Sequence, residues 1–423
     1  MWLTYFFTCG SSVNIILYAV PFFFLFIFIE LFLERSKGTD YYRVNDSINS
    51  LTAGVLSRMT GIIKQLFPLT IYVVAYEQLG LFEMTPSWWV WLIAFVLYDF
   101  CYYWNHRLGH EMNILWAAHV VHHSSEEYNL TTALRQSSSS FFSWIFYLPM
   151  AILGFDPIVL VTVGSLNLIY QFWVHTRHIP KLGWYEWVFV TPSNHRVHHA
   201  QNQIYIDRNY GGVFIIWDRL FGSFQEELDS EPPIYGIRKA LKSWNPLWAN
   251  IHVYSQLFKD CWHAKRWQDK FLIWFKRTGW RPDDVVQNYP LGKVDLTKFR
   301  KFDIPLSLIN KFYSLLQYLL VVFVGLLLIM NVSNFSLTEQ ILIVLFVLFG
   351  SISAGLVLEN SPIAVYSEWL KQLLVLTCLF IYQFPPWVEL VLVLSIVTSC
   401  ILLLLKKKDI INTTWQIANN VQK

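Results

Sequence analysis

Eight histidines stand in three short runs, His106-x3-His110, His119-x2-His122-His123 and His195-x2-His198-His199. Ten of the twelve histidines in the chain fall between positions 106 and 199. Neutral imidazole is the commonest protein ligand for transition metals. On a helix, residues three and four apart share a face. In each H-x-x-H-H run the two outer histidines then face the same way, and the middle one lies about 100° round from its neighbour. Each such run suits two adjacent ions, and eight ligands suggest two ions more readily than one. A lone histidine at any of these places reads as an ordinary core or surface residue. Three runs of this spacing within 94 residues read as a metal site.

Further candidates surround the runs. His175 is a possible ninth ligand, with a structural role weighing almost as much; His178, His252 and His263 have no matching partner and read as peripheral or solvated. Asp99, Tyr103, His106 and His110 are spaced four, three and four apart, one stripe of a helix. A ligating histidine usually gives its second N–H to a carboxylate or carbonyl, so Asp99 is the candidate acceptor for His106; the alternative is a carboxylate reaching for interfacial water. Glu111 is the only carboxylate adjoining a first-run histidine, as ligand, hydrogen-bond acceptor or plain surface charge. The five cysteines, Cys9, Cys101, Cys261, Cys378 and Cys400, form no C-x-x-C pair, which argues against thiolate zinc and iron–sulfur centres. No Glu-x-x-His pair of the soluble di-iron bundles occurs within the runs. An all-imidazole site beside lipid suits iron and oxygen chemistry on an inert C–H bond, although zinc accepts the same ligands. Oxygen activation needs two external electrons. With no G-x-G-x-x-G fingerprint, the chain is expected to take them from a separate reductant.

The elements that hold these residues are membrane-like. Hydrophobic residues make up 55% of the chain and charged residues 14%, and the net charge of +3 is too small to imply a nucleic-acid partner. A bilayer-crossing helix needs about 20 apolar residues. The runs that fit are Val13–Leu33, Trp88–Trp104, Tyr313–Met330, Gln340–Leu358 and Trp387–Leu405, with Ile62–Leu81 weaker and Leu370–Phe384 short. Phe141–Leu153 and Phe155–Val174, joined at Gly154, Asp156 and Pro157, read as a hairpin that enters the membrane and returns. Twenty of the 32 Lys and Arg lie between Thr176 and Lys311. Placing them, Glu34–Asn49, Lys406–Lys408 and all three histidine runs on the cytosolic side satisfies the positive-inside tendency. The Asn331 and Asn334 sequons would then be lumenal and those at Asn129 and Asn412 cytosolic. The expectation is an all-α, polytopic membrane protein: a catalytic region over 1–235, a polar Trp-rich connection over 236–312, a membrane block over 313–405 and a cytosolic tail over 406–423.

The segments Asp99–Glu111 (DFCYYWNHRLGHE), Trp116–Gln136 (WAAHVVHHSSEEYNLTTALRQ), Thr191–Ala200 (TPSNHRVHHA) and Arg208–Phe224 (RNYGGVFIIWDRLFGSF) resemble the fatty acid hydroxylase/sterol desaturase superfamily of membrane di-iron enzymes. HHSSEEYNLTTALRQ, NHRVHH and NYGG resemble in particular its alkylglycerol-cleaving monooxygenase branch. The resemblance covers roughly residues 80–230 and extends loosely over the later spans. It implies an endoplasmic-reticulum enzyme using two irons, O2 and tetrahydrobiopterin on ether lipids, giving a fatty aldehyde and glycerol. By position His106, His110, His119, His122, His123, His195, His198 and His199 match its iron ligands, while Glu111 and Tyr210 stand in its motifs as candidates for supporting metal or pterin. The chain shows no pterin motif of its own. Asn129, Arg135, Gln136 and Asn194 are candidates for holding a glycerol end, with structural hydrogen bonding at least as good a reading. The competing functions are sterol oxidation or fatty-acid hydroxylation fed by cytochrome b5, a membrane metal carrier, and a zinc hydrolase.

Overall fold

The computed structural model describes residues 15–404 except positions 65, 86, 293, 332, 333, 383, 385, 401 and 402. The start of the first expected span, the Lys406–Lys408 cluster and the Asn412 sequon lie outside the described residues. In chain order the helices are α1 (Ile15–Lys37), α2 (Val44–Lys64), α3 (Leu66–Leu79), α4 (Trp88–Glu111), α5 (Asn113–His123), α6 (Leu130–Ala133), α7 (Leu148–Ile152), α8 (Pro157–Trp173), α9 (Pro192–His198), α10 (Ile216–Leu220), α11 (Pro246–His263), α12 (Trp267–Phe275), α13 (Asp283–Asn288), α14 (Leu308–Met330), α15 (Leu337–Leu358), α16 (Ala364–Ile381) and α17 (Pro386–Cys400). Among the described residues there is no β-strand, only two isolated bridges. The protein is all-α. Among the described residues four helices, α1, α14, α15 and α16, are long and apolar enough to cross a bilayer.

Within the apolar run from Ile62 to Leu81 the structure describes α3 over Leu66–Leu79, with Pro68 in its first turn. The hairpin has unequal arms. Its first arm is a 3₁₀ turn, Ser143–Tyr147, continuing into the five residues of α7 with Pro149 at its start. Its second arm is the 17-residue α8, started by an Asp156 side chain that accepts from the Ile158 N–H and by Pro157, the N-cap and N1 preferences of a helix.

The chain forms two compact units: Met1–Lys242 with Trp248–Phe302, and Ser243–Leu247 with Asp303–Lys423. In the first, Tyr72 and Ala75 of α3, Val90, Ala94 and Cys101 of α4, Met150 and Ala151 of α7, and Val159 and Val163 of α8 form one buried cluster. Small residues let membrane helices approach closely; a Cβ on Gly164 would stand 2.8 Å from the Tyr98 hydroxyl. The expected connection over 236–312 holds α11 to α13, whose inner side packs on Ala117 of α5. The second unit buries Leu320, Val375, Val388 and Leu392. It also encloses an ion pair, Lys371 with Glu368 at 2.6 Å, supported by Tyr313 and by Gln317. Charges inside a membrane bundle require such partners.

The hairpin bend depends on Gly154, whose φ is +87° and whose Cβ position lies 1.8 Å from the Phe82 carbonyl oxygen. Gly154→Ala therefore meets both a left-handed backbone and a main-chain clash, and is expected to cost about 2 kcal/mol or more. Thermal unfolding of the detergent-purified variant measures this as a lowered midpoint.

Candidate metal centre

Continuous α4 carries the first histidine run beyond Trp104, placing His106 and His110 one turn apart on one face. The second run ends the 11-residue α5. The third occupies α9, which begins at Pro192 under a reciprocal cap between Thr191 and Asn194. His175 follows α8 directly. These four chain segments bring nine imidazoles into two groups. His106, His110, His119, His123 and His198 form one; His122, His175, His195 and His199 form the other. Within each group the ligand atoms all lie within 4.8 Å of one another. Each H-x-x-H-H run is split between groups, its outer pair going to one and its middle histidine to the other. The two runs do so in opposite senses, which interlocks the groups.

The rings point their Nε2 atoms inward. His122 and His175 are 3.2 Å apart through Nε2, His175 and His195 3.1 Å, and His195 and His199 3.2 Å. In the other group the separations are 3.0 Å for His106 and His119, 3.1 Å for His119 and His123, and 3.2 Å for His123 and His198. On the outer side four rings meet main-chain carbonyls through Nδ1: His106 to Tyr210 at 2.7 Å, His122 to Arg135 at 3.0 Å, His175 to Gln171 at 2.8 Å and His198 to Arg208 at 3.0 Å. A carbonyl only accepts, so each Nδ1 carries the proton and each Nε2 presents a bare lone pair. For His122 and His175 both Nδ1 atoms are committed in this way, leaving two lone pairs face to face at 3.2 Å. A cation between them turns that repulsion into ligation. His110 Nε2 is buried with no hydrogen-bond partner, a further donor suited to a metal. The residues fit a metal ion in each group.

Burial pushes every one of these imidazoles below the ordinary value, His106 to about 3 and His122 to about 4. His110, His123 and His199 fall well below it, first from burial and then from neighbouring histidines. The neutral, ligating form is thus the resting form at physiological pH.

The carboxylates stand differently from the sequence expectation. Asp99 does not hydrogen-bond His106: seven residues of helix separate them by about 10 Å. Nor is it a carboxylate reaching for water, being fully buried. It accepts from the Val213 N–H at 2.8 Å, the Phe214 N–H at 3.0 Å, Asn167 Nδ2 at 2.7 Å and Trp217 Nε1 at 3.0 Å. Asp218, which the sequence reading did not single out, accepts from the Tyr210 and Gly211 N–H groups at 2.7 and 2.8 Å. The two acids clamp the Asn209–Phe214 loop, and the Tyr210 carbonyl of that loop receives the His106 proton. Gly212 is needed there, since a Cβ would lie 2.8 Å from Asp99 Oδ1. Asp99 acts on His106 through the loop.

Glu111 joins neither histidine group. It pairs with Arg107 at 3.1 Å and accepts from the Tyr210 hydroxyl at 3.3 Å, while the Tyr210 ring lies 5.4 Å from His110. Tyr210 and Glu111 therefore sit at the wall of the first group. The candidates for a glycerol end are occupied elsewhere. Asn129 caps α6 and donates to the Tyr41 carbonyl, Gln136 donates to that of Ala133, and Asn194 belongs to the α9 cap. Arg135, 1% exposed, donates to the Val121 carbonyl at 2.8 Å and to Ser124 and Asn49, so its own carbonyl is fixed beneath His122. Tyr128, also missed, stacks 5.5 Å from His175.

A family model for fatty acid hydroxylase matches residues 91–223, the stretch that carries all nine histidines. The chain is similar to the alkylglycerol monooxygenase of Homo sapiens, 37% identical over 370 residues that cover 86% of this chain and 82% of the relative. It is similar to the alkylglycerol monooxygenase of Danio rerio, 37% identical over 363 residues, 85% of this chain and 80% of the relative. An ornithine lipid hydroxylase of Rhizobium tropici is 25% identical over 232 residues, 52% of this chain and 70% of that protein. No solved structure matches. Helical membrane fold, clustered imidazoles and family model together define a histidine-box membrane oxidoreductase. The chain belongs to the alkylglycerol monooxygenase family and is a membrane monooxygenase.

Two outcomes follow from this geometry. Asp99→Asn keeps the size of the side chain but replaces a four-donor carboxylate by an amide, loosening the loop behind His106. A loss of about 10- to 100-fold in metal affinity is expected, read as metal per chain after dialysis against graded chelator. Acid also opposes the folded, metal-free site. Because His106 and His122 titrate below 6.5 when folded, the unfolded chain binds more protons between those values and 6.5, and stability falls as pH is lowered through that window. The metal-free protein should melt at lower temperature at about pH 5 than at about pH 7, and His122→Gln should reduce that slope.

Proposed function

We propose that this chain cleaves alkylglycerols, hydroxylating the carbon beside the ether oxygen at a pair of irons held by the two histidine groups. The observation that carries the metal part is the His122–His175 pair, whose carbonyl-tethered rings set two unprotonated nitrogens 3.2 Å apart. The substrate follows from the 37% identity to an alkylglycerol monooxygenase across 86% of the chain. His106, His110, His119, His123 and His198 hold one ion, and His122, His175, His195 and His199 the other. Iron, when bound, supplies the centre at which O2 is reduced.

The overall step takes the ether, O2, two electrons and two protons to a hemiacetal and water. One oxygen atom enters the former C–H bond and the other leaves as water. The hemiacetal then breaks its C–O bond, the hydroxyl proton passing to the departing oxygen, to give a fatty aldehyde and glycerol. A reduced pterin, tetrahydrobiopterin, is the proposed two-electron donor. The protein's share is positional. The carbonyl tethers keep the imidazoles neutral and aimed, the Asp99 and Asp218 clamp keeps the His106 tether in place, and buried Tyr210 with Glu111 closes the side of the first group against water. The enzyme is placed in the endoplasmic-reticulum membrane with the histidines on its cytosolic face, an orientation that agrees with the basic segment between Thr176 and Lys311.

Purified enzyme supplied with an alkylglycerol, air and tetrahydrobiopterin should release fatty aldehyde, with two irons per chain by elemental analysis. Aldehyde formation with cytochrome b5 but not with pterin would reject the proposed donor, and hydroxylation of sterol or free fatty acid in place of the ether would reject the substrate. His122→Ala should abolish turnover while the protein still inserts in the membrane, with iron falling toward one per chain.

A further inference from the structure

Helices α11 and α12 each have two dissimilar sides. Inward, Leu257, Ala264 and Ile273 are buried in one cluster with Ala117 of α5, and Asp260 is held by two hydrogen bonds of 2.8 Å from Arg281. Outward stand large apolar side chains that are mostly exposed: Phe258 and Trp262 on α11, 63% and 84% exposed, and Trp267 and Phe271 on α12, 83% and 65% exposed. Each pair is four residues apart, so each helix presents an aromatic stripe. Contiguous apolar surface of this kind marks a contact with lipid or protein.

Charge and position choose between the two. Residues 246–276 carry five cations against two acids, a net of +3 and thus equal to that of the entire chain. One of the two acids, Asp260, is buried, so the outward side of the pair is almost wholly cationic. The end of α12 is sewn to the end of α4. The Asn113 N–H donates to the Lys276 carbonyl at 3.1 Å, the Thr278 N–H to that of Glu111 at 3.2 Å, and the Gly279 N–H to Asn113 Oδ1 at 2.8 Å. Helix α4 is apolar as far as Trp104, and Glu111 lies about 10 Å beyond it. The seam therefore holds α12 at the level where α4 leaves its apolar stretch. A helix lying in a membrane interface sinks its apolar side about 5–10 Å into the boundary of headgroups and acyl chains, and cations beside it attract anionic lipid.

We propose that α11 and α12 are an in-plane membrane anchor, with the aromatic stripes buried in the bilayer interface and the flanking lysines and arginine on anionic phospholipid headgroups. Thr278 also donates to the His110 carbonyl, so the anchored pair sets the depth of the first histidine run against the lipid. The anchor does not depend on the substrate or the electron donor proposed above.

The test uses the full chain with its native cysteines replaced, reconstituted in nanodiscs of phosphatidylcholine with or without about one-third phosphatidylserine. Single cysteines at Trp262, Phe271 and, as a water-facing reference, Lys298 (85% exposed) carry an environment-sensitive fluorophore. The labels at 262 and 271 should be quenched by doxyl-labelled lipid and shielded from iodide about threefold or more relative to 298. Neutralising Lys259, Lys265 and Arg266 to Gln should weaken the shielding only in the phosphatidylserine discs. Iodide reaching 262 and 271 as freely as 298 would overturn the anchor, as would shielding that disappears in discs holding one protein copy, which would mean that a second copy covers the stripes. Should the labelled variants misfold, a photoreactive phosphatidylserine in discs of the unsubstituted chain gives the same decision: cross-links within 258–276 support the anchor, and cross-links confined to other segments reject it.

Discussion

Everything in the metal centre depends on a hydrogen bond made on the far side of the ring, from imidazole Nδ1 to a main-chain carbonyl. A side-chain acceptor can turn, ionise or take the proton. A carbonyl can do none of these, so His106, His122, His175 and His198 are locked in one tautomer with their lone pairs inward. The repulsion between those lone pairs is held in check only by the rigidity of what carries the carbonyls. Much of the architecture around the site serves that rigidity.

Each carbonyl has its own support. That of Gln171 belongs to the last turn of α8. That of Arg135 is fixed because the Arg135 guanidinium is spent on Val121, Ser124 and Asn49 rather than on a ligand. Those of Arg208 and Tyr210 lie in a loop that turns through left-handed residues, Asp207 at φ 58° and Asn209 at φ 55°. Asparagine and aspartate tolerate that region better than most residues, and Asn209 uses its amide to donate to the Asn194 and Gln225 carbonyls. Buried carboxylates at 99 and 218 finish the clamp. Burying two acids is costly unless their oxygens are saturated with donors, and here they are. In a membrane setting that cost is tolerable because the reward is a rigid cage that excludes water.

Much of this was legible in the linear chain. The period of H-x-x-H-H implies that the middle histidine turns away from the outer two, and the structure sends it to the other group. The bend at Gly154, Asp156 and Pro157 and the apolar lengths of α1, α14 and α15 are local properties, set by residue type and spacing along the chain. The expectations that failed were those that reached across the fold. Asp99 shares a helical stripe with His106, yet axial distance outweighs shared direction, and its partners come from residues 167 and 213–217. For Arg135 and Asn129 the sequence left a ligand role and structural hydrogen bonding open, and only their neighbours show side chains that bond within the protein.

Sequence alone pointed to imidazole as the ligand type and to the helical membrane class, because ligand chemistry, helical period and apolar length are properties of residues and their spacing. Tertiary structure alone decided which histidine joins which group, that His175 completes the second, and which carbonyl keeps each ring in register. Those depend on where four separated segments meet, and main-chain carbonyls are the same at every position of a chain until folding aims them.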